Sequence, residues 1–167
     1  IDRDLLEQHH EGLICLSACL AGEVPRYIVR GFYEEAKGIA KKYQDCFGKD
    51  NYFLELQDHG IPAQRLVNQE LLRMHEETGI DLVATNDVHY TRAEDADPHD
   101  ILLCLQTNKK LADEDRMRYE GGQYYVKSPE EMEALFPYAK EALENTGKIA
   151  ERCNVEIEFG VTKLPKY

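Results

Sequence analysis

Three short apolar runs, Leu13–Leu16, Tyr52–Leu56 and Ile80–Thr85, alternate with stretches whose apolar residues recur every three or four positions. Strands separated by helices pair in parallel, since a parallel pair needs a long crossover and a helix makes it compactly. Between the first two runs, Val24–Val29 fits a short helix opening at Glu23 and Pro25. Tyr33–Phe47 then sets Ala36, Ile39, Ala40, Tyr43, Cys46 and Phe47 on one face ahead of Gly48. Between the second and third, Pro62–Thr78 carries proline in its first turn and Gly79 past its end, with Ala63, Leu66, Val67, Leu71 and Met74 inward. The fold class expected is α/β, built on a parallel sheet or barrel.

After Tyr90 the character changes. Thr91–Glu94 and Asp97-Pro98 are alternative starts for a helix running through Leu105. Residues 108–127 read as a polar loop with a strand at Tyr124–Val126. Ser128-Pro129-Glu130-Glu131 combines a capping serine, a first-turn proline and a glutamate three residues on, the clearest helix start in the chain. Ala139, Leu143, Thr146, Ile149, Ala150 and Cys153 form a further helical face. The chain begins at Ile1, and Lys163–Tyr167 reads as the start of a connection, so a piece of a longer protein is expected.

Composition narrows the function. Among 167 residues, 32 acidic side chains against 20 basic ones leave a net charge of −12, which repels a phosphate backbone. Lys109, Lys110, Arg116 and Arg118 make only a small patch among acidic neighbours. No apolar run approaches the length of a membrane span and no signal peptide opens the sequence. The five cysteines include no CxxC pair, which argues for a reducing, cytoplasmic setting over a disulfide framework or zinc ribbon.

The string Leu82-Val83-Ala84-Thr85-Asn86-Asp87-Val88-His89-Tyr90 carries the most chemical information. On an extended backbone Asp87 and His89 point to one side, at the strand end where α/β enzymes place reactive groups. Asp-x-His also occurs at Asp97-Pro98-His99, so spacing alone is weak. The competing reading is a turn in which Asn86 and Asp87 bond their own backbone. Cys19 follows the first strand pattern; thiolate, carboxylate and imidazole together suit a divalent ion such as zinc. Cys15, Cys46, Cys104 and Cys153 read as small buried hydrophobes. Glu55 and His59 are candidates to support a metal site from behind, against the plainer reading of a solvated turn. His9, His10 and His75 read as exposed, and His99 and Asp100 as helix caps. No phosphate loop, nucleophile elbow or Ser-His-Asp order is present.

The strings GLICLSACLAGEVPR, YFLELQDHG, LVATNDVHY, HDILLCLQT, YYVKSPEEMEALFP and ALENTGKIAERCNVE, in order along the chain, resemble the bacterial DNA polymerase III α-subunit family. They correspond to the later part of its N-terminal polymerase-and-histidinol-phosphatase (PHP) domain. The resemblance implies a partial, distorted (β/α)7 barrel over residues 1–92 and a helical extension toward the polymerase palm over 93–167. It implies a cluster of up to three metal ions, zinc, manganese or iron, with Cys19, Asp87 and His89 as three of about nine ligands. The remaining ligands precede Ile1, and the palm carboxylates, which use magnesium, follow Tyr167. No catalytic residue is therefore expected within the chain. The implied roles are 3′–5′ exonuclease or phosphoesterase chemistry, or a silent module that stabilises the polymerase and docks a proofreading subunit. Implied partners are the other polymerase domains and replisome subunits, with DNA reached through the whole protein and no membrane involved.

Overall fold

The computed structural model describes residues 2–164. Three parallel strands, β1 (Cys15–Leu16), β2 (Tyr52–Leu56) and β3 (Leu82–Ala84), lie in that order, with Cys15 beside Tyr52 and Leu54 beside Leu82. α1 (Arg3–Gln8) precedes β1; α2 (Glu23–Val29) and α3 (Tyr33–Phe47) cross from β1 to β2, and α4 (Pro62–Thr78) from β2 to β3. The sheet is open among the described residues, and no closed barrel is seen. β1 is shorter than the apolar run around it, because Gly12 turns the backbone at φ 76° and Leu13 bonds back to His10. Gly79 ends α4 in the left-handed conformation, as its position past the last apolar residue predicts.

The two central strands are buried on both faces, as a parallel sheet requires: Tyr52, Leu54 and Leu56 point into the main core, while Phe53 and Val83 are buried on the other side. The later helices are α5 (Ala96–Thr107), after a 3-10 turn at Ala93–Asp95, then α6 (Pro129–Leu135) and α7 (Lys140–Arg152). Ser128 caps α6 through its hydroxyl, while Glu131 bonds back to the Ser128 N–H. Phe136, Ala139 and Ala142 join the core formed by β2, β3 and α4, so the hydrophobic core runs across residue 92. Asn145 of α7 donates to the Leu82 carbonyl at 2.8 Å, on the side of β3 that faces away from β2. That bond seals an otherwise open sheet edge.

Several expectations require correction. Leu66 is 46% exposed, whereas Gln64 and Asn68 turn inward beside Val67, Leu71 and Met74. α4 is rotated because those two amides have partners to reach, described below. The α7 stripe likewise shifts, burying Ala142 and Asn145 and leaving Thr146, Ala150 and Cys153 exposed. Cys104 is buried, but Cys15 and Cys46 are only half-buried. His75 is half-buried, bonded to the Ile80 carbonyl at 2.7 Å, and His10 is half-buried against Phe47. His99 and Asp100 lie inside α5, not at its cap. Asp100 there takes both terminal nitrogens of Arg116, at 2.5 and 2.6 Å. Tyr124–Val126 makes only a single parallel bridge, Tyr90 to Tyr125.

Candidate functional site

Two turns follow the C-terminal ends of β1 and β3, and each carries a non-glycine residue in the left-handed region. Ala18, at φ 65°, precedes Cys19; Asp87 itself sits at φ 44°. Such conformations cost energy and persist only where surrounding bonds impose them. Asp87 is therefore not on an extended strand, and the alternation argument for pairing it with His89 does not apply. The own-backbone turn fails as well, because the Asn86 amide donates to the carbonyls of Gln123 and Tyr125, at 3.0 and 2.7 Å.

Glu55 imposes the first conformation. One carboxylate oxygen accepts the Ala18 N–H at 3.0 Å; the other accepts the Thr85 hydroxyl at 2.5 Å and the Gln57 amide at 3.0 Å. A single side chain on β2 thus joins the turn before Cys19 to the end of β3. Ser17 completes the join by accepting the Glu55 N–H at 2.8 Å. Gly22 closes the turn where a Cβ would stand 2.4 Å from the Ser17 carbonyl, so no other residue fits.

His59 imposes the second, and it is 4% exposed, not part of a solvated turn. The His59 N–H donates to Gln64 Oε1 at 2.8 Å, which orients that amide and directs its Nε2 onto His59 Nδ1, also at 2.8 Å. Nδ1 must then accept, so the proton lies on Nε2 and is donated to the Asn86 carbonyl at 2.9 Å. Asn68, one turn along α4, donates to the Gln57 carbonyl. These bonds explain the rotation of α4.

The turn Asp87–His89 is also held by a distant segment. His89 N–H donates to the Tyr124 carbonyl at 2.8 Å, and the Tyr124 ring stacks on His59 at 3.9 Å between centroids. Tyr119 lies against His89 at 4.2 Å and edge-on to Tyr124 at 4.8 Å, with the His99 ring 5.8 Å from that of His89. Burial, then the negative charges of Asp87 and Cys19, push the Tyr119 and Tyr124 hydroxyls above their ordinary pKa. Both rings pack beside the His89 imidazole at the end of β3. Tyr119, Gln64 and Asn68 are not singled out by the sequence patterns, while Tyr124 stands out there only as part of a strand and Asn86 only as part of a turn. The one available signal was the pair of amides, four apart, interrupting the apolar stripe of α4.

Cys19 is half-buried and His89 exposed. His89 Nδ1 engages the Asp87 carbonyl at 2.6 Å, which leaves Nε2 free in the manner of a metal-binding imidazole. Among the described residues, however, no three His, Cys, Asp or Glu side chains lie close enough to hold one ion. The donor chemistry suits a divalent ion, while the set within this chain is incomplete.

Residues 1–59, which include Cys19, Glu55 and His59 but not Asp87 or His89, match the PHP domain family. Over its whole length the chain is 47% identical to DNA polymerase III subunit alpha of Treponema pallidum and 46% identical to that of Borreliella burgdorferi. The chain is homologous to a segment of DNA polymerase III subunit alpha. Identity to the Thermus aquaticus subunit is 40%, again across the whole chain. The chain spans 14% of the Treponema and Thermus subunits and 15% of the Borreliella one. The similarity continues through α7, well past the PHP match, in keeping with a core that includes Phe136 and Ala142.

Proposed function

We propose that this chain is the later part of a PHP barrel within a bacterial replicative DNA polymerase α subunit, and that Cys19, Asp87 and His89 contribute to its divalent metal centre. The division expected at residue 92 is kept as barrel before and helical extension after, sharing one core. The observation that carries the site is the Glu55 carboxylate, which fastens the Cys19 turn to the strand leading into Asp87. A buried network spent on two strained turns at strand ends is the usual sign of a working site.

Bound zinc, manganese or iron would supply Lewis acidity toward a phosphodiester. Cys19 offers a thiolate, Asp87 a carboxylate and His89 its free Nε2. Glu55 and His59 fix the two turns, and Tyr119 and Tyr124 pack beside the His89 ring. The remaining ligands come from outside this chain, so the isolated chain is catalytically silent. Template-directed synthesis, with magnesium at palm carboxylates, belongs to the longer cytoplasmic protein and its replisome partners.

The test is 3′–5′ hydrolysis of a labelled single-stranded oligonucleotide by the intact subunit, loaded with manganese or zinc. Activity lost in His89→Ala and Cys19→Ser, with nucleotide incorporation retained, supports the reading. Hydrolysis unchanged in both variants contradicts it. A second reading, a silent module that stabilises the polymerase and docks a proofreading subunit, is favoured by the single core shared by the residues before and after 92. It predicts no hydrolysis and no stoichiometric metal in the intact subunit.

A further inference from the structure

After α7 the chain alternates apolar and acidic residues, Val155-Glu156-Ile157-Glu158-Phe159, before a turn at Phe159–Gly160. Val155, Ile157 and Phe159 are 81%, 69% and 86% exposed, and no backbone group of 154–164 bonds to another element among the described residues. Period-two alternation of β-branched and aromatic residues belongs to a half-buried strand. Among the described residues nothing covers it. We propose that residues 154–159 are a docking strand, and that its occupant is a sheet edge bearing lysine or arginine in the remaining chain of the longer subunit. The inference rests on the reading that this chain is one segment of such a subunit.

Charge selects that occupant. A second copy of the chain would set Glu156 and Glu158 against their own kind across the ladder, which is destabilising, within a molecule already at net −12. A basic edge would satisfy the acidic face while burying the apolar one. Within the chain Glu158 meets Lys163 at 3.2 Å, but both side chains are exposed and such a pair yields readily. The homologous subunits are about seven times as long as the matched segment, 14% of the Treponema protein being covered, so ample chain exists to supply the edge.

Amide hydrogen exchange compares the intact subunit with the 167-residue chain. The proposal predicts exchange of residues 155–159 slowed by at least ~100-fold in the intact subunit and fast in the short chain. Ile157→Lys in the intact subunit should abolish that slowing while α7 stays protected. Equal exchange in both proteins overturns the docking strand. Slowing in the short chain that grows with concentration overturns the occupant in favour of a second copy. The mass of the natural polypeptide tests the underlying reading separately, since a protein of only 167 residues overturns both.

Discussion

The packed layers of the sheet and its crossover helices, within residues 15–84, and the stretch after β3, residues 85–126, are held by different forces. In the first, apolar side chains pack at full burial, with Leu54, Leu56, Leu71, Met74 and Ile80 inaccessible to solvent. In the second, order comes from hydrogen bonds between residues far apart in sequence: Asn86 to Gln123 and Tyr125, His89 to Tyr124, Arg116 to Asp100. Packing is tolerant and additive, whereas a polar network depends on each partner being present. The site therefore sits where one substitution redirects a turn without unfolding the protein.

The largest expected effect tests whether the core crosses residue 92. Phe136→Ala should cost ~3–5 kcal/mol in urea unfolding, as for a fully buried aromatic, and Leu71→Ala about 2–5 kcal/mol. Exposed Leu66→Ala should stay within about 0.5 kcal/mol. If Phe136→Ala left the unfolding of β2 and β3 unchanged, the two stretches would be separate units.

Asn145→Ala removes the donor to the buried edge of β3 and should cost about 1–3 kcal/mol, from the unpaired Leu82 carbonyl. The His59 clamp, which reaches the polar stretch at the Asn86 carbonyl, is tested next. Gln64→Leu leaves the His59 N–H and Nδ1 unpaired while the Asn86 carbonyl still holds the Nε2–H tautomer, so it should cost about 1–3 kcal/mol and shift the nitrogen-15 resonance of His59 Nδ1. Unchanged stability and an unchanged Nδ1 resonance in Gln64→Leu would dissolve the argument for the clamp.

The smallest effect concerns acid. Arg116 holds the Asp100 carboxyl below its usual pKa by hydrogen bonding, so this contact contributes fully above the unfolded value, about 4. Its contribution is lost as pH falls through the lowered folded value. Protection factors of residues 110–118 should fall below pH ~4 in the wild type and be low at neutral pH in Asp100→Asn.

The same contrast explains what could be read in advance. The spans Tyr33–Phe47, Tyr52–Leu56 and Pro62–Thr78 follow from apolar spacing, glycine stops and a first-turn proline, and the helices match them end to end. The Ser128 cap was legible because its partner is three residues away. Leu66 misled because periodicity ranks residues by apolarity, while Gln64 and Asn68 face inward to reach His59 and Gln57. Nothing local marks Tyr119 or Tyr124 as neighbours of His89, since the contacts that bring them together span about 30 residues or more. The extended geometry expected of Asp87 is excluded by its φ of 44°, and its turn is tied to the Cys19 turn through Glu55, which bonds both Ala18 and Thr85.

Metal content after dialysis tests the central claim most directly, measured by elemental analysis on the intact subunit and four variants. Cys19→Ser, Asp87→Asn and His89→Ala should each weaken binding by roughly 10–100-fold or more, taking the effect of neighbouring support residues as a lower guide. His99→Ala, whose ring touches His89 from α5 without belonging to either turn, should retain the metal. Equal loss in all four variants, or loss in His99→Ala alone, would contradict the assignment.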